Sequence, residues 1–159
     1  MTLPRRLSAT ALVLAAATAF SAPATAAPAD CLGTPSDTWL TVSIEGLRNG
    51  NGLVTVAVYP DDSRQFLAKG GTLKNNRFNA SAPVTRACVF VPKPGVYAIA
   101  VYHDEDASRK LNRSGLGLPA EGYGFSNNPA TLAGLPAFRS VRLNVPKAGL
   151  TTHVRMKYP

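Results

Sequence analysis

The chain has 159 residues, and its 17 Lys and Arg against 9 Asp and Glu give a formal charge of +8 with no block of like charges. Basic residues this scattered, with no RNA-type aromatic motif among them, exclude nucleic acid as the expected partner and describe a solvated, mildly basic surface. No segment reaches the roughly 18 to 20 unbroken apolar residues of a membrane span.

In chain order, the first element is a leader. Arg5 and Arg6 precede an apolar stretch from Leu7 to Phe20, and Ala24-Thr25-Ala26 follows in the A-x-A pattern of a cleavage site. That order predicts a secretory signal peptide over residues 1–26 and a mature domain over 27–159. The twin arginine is a poor match to the folded-export signal, because Leu7 and the polar residues after it do not fit. Asp30 before Cys31 stands where a lipoprotein anchor would require a small residue. The expected location is the periplasm or the exterior, and the expected state is a monomer. Removing Arg5 and Arg6 leaves the mature chain near +6. About 130 residues suffice for one domain with a real core.

Export changes the reading of Cys31 and Cys88. In an oxidising compartment, a lone pair of distant cysteines forms a disulfide. Closing that loop would stabilise the fold by about 4 kcal/mol in the chain-entropy picture. The alternatives are two reduced buried thiols or, less favoured, a metal site, which would need further ligands nearby.

Beyond Cys31 the hydrophobic period is two. Leu40, Val42 and Ile44 alternate with Thr41, Ser43 and Glu45. After Asn49-Gly50-Asn51-Gly52, a strong hairpin signal, Val54, Val56 and Val58 alternate with Thr55 and Ala57. These two strands are expected to pair antiparallel. A short helix opened by an Asp cap is expected over Asp61 to Leu67. A third strand spans Val84 to Val91. A fourth, Val96 to His103, is apolar on both faces and reads as central and doubly covered. Two more run from Ser140 to Val145 and Leu150 to Lys157. The expectation is an all-β, antiparallel sandwich of about seven strands, immunoglobulin-like or transthyretin-like.

From Asp104 to Arg139 no strand is evident. A connection this long in a compact domain is functional or disordered. Tyr123, Phe125 and Phe138 favour an ordered loop packed on the sandwich. The run from Gly95 through Tyr102-His103-Asp104-Glu105-Asp106, then Lys110-Leu111, Gly117, Pro119 and Glu121-Gly122-Tyr123-Gly124-Phe125-Ser126-Asn127-Asn128, resembles the DUF2141 family of bacterial exported proteins. The likeness covers nearly all of the mature chain. It implies a small exported β-sandwich and carries no catalytic residues to transfer. Ala107-Ser108-Arg109 departs from the Asn and Gly residues that the family often places after His-Asp.

Three chemistries compete for this loop. Asp104, Asp106 and Ser108 match the start of a calcium loop, D-x-D-x-S. Arg109 stands at the sharp-turn glycine, and Gly115 stands where a bidentate Glu belongs, so an EF-hand is excluded. A simpler Ca2+ site on Asp104 and Asp106 remains, against the alternative that these acids pair with Arg109, Lys110 or Arg113. A hydrolase-type centre would use His103 with Asp104 or Glu121 and Ser126 as nominal nucleophile, but no nucleophile turn is present and Phe125-Ser126-Asn127 reads as an ordinary turn. His103 and His153, the two histidines, have no metal-ligand spacing, and His103 at the end of a buried strand reads as structural. Third, Gly122 and Gly124 flank Tyr123 and Phe125, whose rings either stack on a sugar or apolar ligand or plug the loop onto the sheet. Two Asn-x-Ser acceptors, Asn79 and Asn112, are idle in a bacterial setting.

The leading expectation is a non-enzymatic exported module that binds a ligand or protein partner through the loop over 104–138, with His103, Asp104, Asp106, Glu121, Tyr123 and Phe125 as candidate contacts. The alternatives are a calcium-stabilised domain using Asp104 and Asp106, and an enzyme centred on His103.

Overall fold

The computed structural model describes residues 26–159 apart from 118, 133 and 134. The expected leader, all but its last residue, lies outside the described residues.

Eight strands form two sheets. β1 (Trp39–Glu45), β4 (Val84–Phe90) and β8 (Leu150–Arg155) make a three-stranded sheet ordered β4-β1-β8, in which β1 and β4 are antiparallel while β1 and β8 are parallel. The larger sheet is ordered β3-β2-β5-β6, built from β3 (Lys74–Asn79), β2 (Leu53–Pro60), β5 (Gly95–Asp104) and β6 (Gly122–Phe125). A one-turn helix α1 (Phe138–Val141) leads into β7 (Arg142–Val145), which pairs with the first half of β5 while β6 pairs with its second half. The fold is the expected all-β sandwich, with eight strands where about seven were expected. Among the described residues, no helix is long and apolar enough to cross a membrane.

The period-two pattern explains the core. Leu40, Val42 and Ile44 of β1 face Val54, Val56 and Val58 of β2 and Tyr97, Ile99 and Val101 of β5 across the interior. Each such side chain removed from water contributes roughly 1.5–3 kcal/mol. β5 is covered on its other face too, where Ala98 and Ala100 join Tyr59, Phe125 and Val141 in a second, smaller cluster. The expectation of a central, doubly covered strand holds.

The Cys31–Cys88 disulfide is present and ties the segment before β1 to β4. Backbone bonds support it: Leu32 N–H donates to Cys88 O at 2.9 Å, and Phe90 N–H donates to Leu32 O at 3.0 Å.

Two local expectations fail. β1 and β2 do not form a hairpin but lie in different sheets. Both strands bury one apolar face, and the sandwich satisfies both at once by placing those faces opposite each other. The connecting Asn49–Gly52 segment arches between the sheets and seats against the end of β5. Gly52 has φ +67°, and a Cβ there would meet Asp104 O at 2.0 Å, so only glycine permits that approach. The second failure is the helix over Asp61 to Leu67, which is a series of turns. Asp62 does cap it, its carboxylate accepting from Arg64 N–H at 2.9 Å. Leu67, however, takes φ 58°, the left-handed region, and ends the helical path.

Candidate functional site

The outer face of the larger sheet carries most of the candidate residues, and the register places them in rows. Tyr59 pairs with Ala98, Ala57 with Ala100, Thr55 with Tyr102 and Leu53 with Asp104. On the other side of β5, Phe125 pairs with Ala100 and Tyr123 with Tyr102. Alternation then points Tyr123 and Phe125 to the outer face and turns Gly122 and Gly124 inward.

Those glycines are needed for packing rather than for bending. A Cβ on Gly124 would lie 2.6 Å from the Val154 side chain, and one on Gly122 would lie 2.3 Å from the Tyr158 ring. β6 can therefore close against the C-terminal strand while its aromatics stay outside. The sequence reading missed β6 because a four-residue strand with glycine at alternate positions carries no apolar alternation. The packing role is taken by Phe125. Phe125 is 7 % exposed and packs near Phe66 at 6.2 Å, within the cluster that also holds Phe138, whereas Tyr123 is only half-buried.

A groove with a cavity volume of about 270 Å³ opens on this face. Its floor is Ala57 and Ala100, its walls include Tyr59, Tyr102, Tyr123 and Phe125, and two loops rim it. One rim is the β2–β3 turn segment with Leu67 and Ala68; the other is the long loop after β5, with Leu111, Arg113 and Leu135. Burial, and then the neighbouring Tyr102, push the Tyr59 phenol above its ordinary value, so it stays a neutral hydroxyl.

One row further along, the acids converge. One carboxylate oxygen from each of Asp104, Asp106 and Glu121 lies within 4.8 Å of the others. Asp104 is fully buried and Glu121 is 6 % exposed. The expected ion pairs with Arg109, Lys110 or Arg113 are absent among the described residues. Backbone and amide donors serve instead. Asp104 accepts from Ser108 N–H at 2.9 Å and Arg109 N–H at 2.6 Å, and Glu121 accepts from Asn112 N–H and Nδ2 at 3.1 Å each. The reason lies in the turn. Ala107 and Arg109 adopt φ 54° and 64°, which folds the backbone amides onto Asp104 and leaves the basic side chains outside. Arg109 thus takes the left-handed conformation that glycine takes at the sixth position of a calcium loop. Gly115 supplies no ligand, but Glu121 brings a carboxylate in from the start of β6. Burial, then the like charges of Asp104 and Asp106, raise the Glu121 pKa. Ser108's hydroxyl and amide hold the Asp106 carboxyl down to about 2.

His103 points the other way, into the sandwich, and is fully buried. Its Nε2 lies 2.8 Å from Asn51 O and its Nδ1 lies 2.8 Å from the Tyr158 hydroxyl. A carbonyl can only accept, so Nε2 donates to Asn51 O, while Nδ1 shares a hydrogen bond with the Tyr158 hydroxyl, which itself accepts from Arg48 N–H at 3.2 Å. Both ring nitrogens are committed to holding the Asn49–Gly52 arch and the C-terminus together. The structure does not bring His103 together with Asp104 or Glu121, whose side chains occupy the opposite face. Nor does it bring His103 to His153, which pairs with Glu45 on the other sheet at 2.6 Å. Ser126 is more than an ordinary turn residue: fully buried, its hydroxyl accepts from Ile99 N–H at 3.1 Å and donates to Val141 O, pinning α1 to β5.

No curated protein and no solved structure matches the chain. A family model described as an uncharacterized protein conserved in bacteria (DUF2141) matches residues 42–153, a span from within β1 to within β8.

Proposed function

The chain belongs to the DUF2141 family, and from that premise we propose that it is an exported, non-enzymatic β-sandwich module that binds a small ligand in the groove under the loop over 104–138. The groove itself carries this reading. Aromatic and aliphatic side chains line a concavity of about 270 Å³ on the face where Tyr123 and Phe125 stand, the composition expected of a small-molecule site. The leader pattern, the Cys31–Cys88 disulfide and the bacterial family all agree with export. The engagement of both His103 nitrogens and of the Ser126 hydroxyl in structural bonds supports a role without catalysis. The test is an amide-resolved NMR titration with a panel of aromatic, acyl and saccharide probes. Shifts should concentrate at Leu67, Tyr102 and Tyr123 and disappear in Ala68→Trp, which fills the mouth from an exposed position. Shifts spread over the surface, or unaltered by Ala68→Trp, would sink the reading.

A second reading rests on Asp104, Asp106 and Glu121: calcium held by these carboxylates would order the loop that rims the groove. Ca2+ takes six to eight hard oxygen ligands, and three clustered carboxylates with no basic partner among the described residues suit that chemistry. Ligand binding to the folded state alone stabilises it by about 2.7 kcal/mol at a hundredfold excess over Kd. Millimolar calcium should therefore raise the melting midpoint over EDTA by several degrees, and Asp106→Asn, at an exposed position, should abolish the rise. An unchanged midpoint refutes it.

A further inference from the structure

Resting on the groove as the binding site, we infer that its ligand is a small planar carboxylic acid, with an aromatic body between the tyrosines and a single carboxylate at Arg113. Size sets the first limit. A cavity of about 270 Å³ lies just below the roughly 300–1,000 Å³ of sites for drug-sized ligands, so one or two fused rings fill it.

Lining chemistry sets the second. The floor is Ala57 and Ala100, and the aromatic rings of Tyr102, Tyr123 and Phe125 line the walls, surfaces on which a planar aromatic body stacks. The rim presents Leu67 and Leu135 at 40 % and 53 % exposed, apolar surface that a sugar would leave unused. Leu67 is also held at φ 58°, a left-handed conformation that strains a bulky side chain.

Charge sets the third. Arg113 is the one charged side chain lining the groove among the described residues. Its Nη1 donates to Gly117 O at 2.8 Å, which orients the guanidinium and leaves its other N–H donors for a carboxylate. Tyr59 adds another polar side chain to the lining. The residue as a whole is 7 % exposed and lines the groove. A second polar substituent on the ligand would meet it. Asp104, Asp106 and Glu121 occupy the neighbouring row without lining the groove, and their charge disfavours a ligand with more than one negative group.

The experiment compares 2-naphthoate with its uncharged isostere 2-naphthamide, and with maltose, by NMR titration of the full chain and of Arg113→Gln and Ala68→Trp. The expected result is that naphthoate binds at least about tenfold more tightly than the amide. Arg113→Gln should remove that preference while keeping amide binding, and Ala68→Trp should remove both. Equal affinity for acid and amide, or a preference that survives Arg113→Gln, overturns the carboxylate assignment and leaves the groove as a site for neutral ligands. Maltose binding in place of both naphthyl probes overturns it in favour of a saccharide. Binding by none of the three overturns the assignment and the groove reading together.

Discussion

The two faces of the larger sheet are made by the same strands and serve opposite ends. On the inner face Val54, Val56, Val58, Ile99 and Val101 are all at most 2 % exposed and pack in the main apolar core, with His103 and Asn76 as buried polar neighbours in the same rows. On the outer face small and aromatic residues alternate along the rows, from the Phe66–Phe125–Phe138 cluster through the groove to the buried acids. The inner face is optimised for burial. The outer face keeps a cavity and two nearly buried carboxylates, both unfavourable for stability alone, and such features concentrate where a protein binds something.

The sharpest way to break this contrast is to truncate one residue on each face of the same strand. Ile99→Ala on the inner face removes a fully buried side chain and leaves a cavity, and we expect a loss of about 3–4 kcal/mol in urea unfolding. Tyr102→Ala on the outer face removes a half-buried ring from the groove wall. Its expected loss is below about 1 kcal/mol, with naphthoate binding abolished. Comparable losses for the two variants would mean that the outer face is simply a second core.

What could be read from sequence follows the same division. Alternation is a strong signal wherever one face is apolar and the other polar, so β1, β2, β4, β7 and β8 were legible, and β5 was legible as a run apolar on both faces. β3, with the sequence Lys74-Asn75-Asn76-Arg77-Phe78-Asn79, buries only Asn76 fully and half-buries Phe78, and an edge strand so polar shows no period. The missed β1–β2 separation has a different cause. An Asn-Gly-Asn-Gly segment supports a tight turn as well as an arch, and only the position of β4 and β8 on either side of β1 decides between them. At the site, Asp104 and Asp106 were legible from their spacing. The arrival of Glu121 beside them was not, because it depends on β6 pairing with the end of β5. Leu67 and Ala68, from the other loop, carried no signal at all.

The smallest expected effect concerns the acids at the two sides of Asp104, which titrate in opposite senses. Glu105, bonded first by Arg48 and then by Asn49, is lowered from 4.5 to about 2. Such a group supports the folded state above its unfolded pKa, and that support is lost as pH falls from about 4.5 towards 2. Asp106, held at about 2 mainly by Ser108, behaves in the same way. Glu121 is raised above 4.5 by burial, so between its folded and unfolded pKa values the native state binds the extra proton. Stability then increases as pH falls through that interval. In EDTA, the urea midpoint should hold or rise slightly from pH 7 down to about 4.5 and fall below it. Glu121→Gln should remove the rise, and a profile unchanged by that substitution would mean that Glu121 does not bind the extra proton in the folded protein. Calcium should remove the upper part of the profile, because a bound cation favours ionised Glu121 and reverses the sign of its contribution. Arg48→Leu should shrink the loss below pH 4.5 without touching the upper interval. That separation would show that Glu105, tied to Arg48 and the Asn49–Gly52 arch, supports the fold independently of the Asp104, Asp106 and Glu121 cluster.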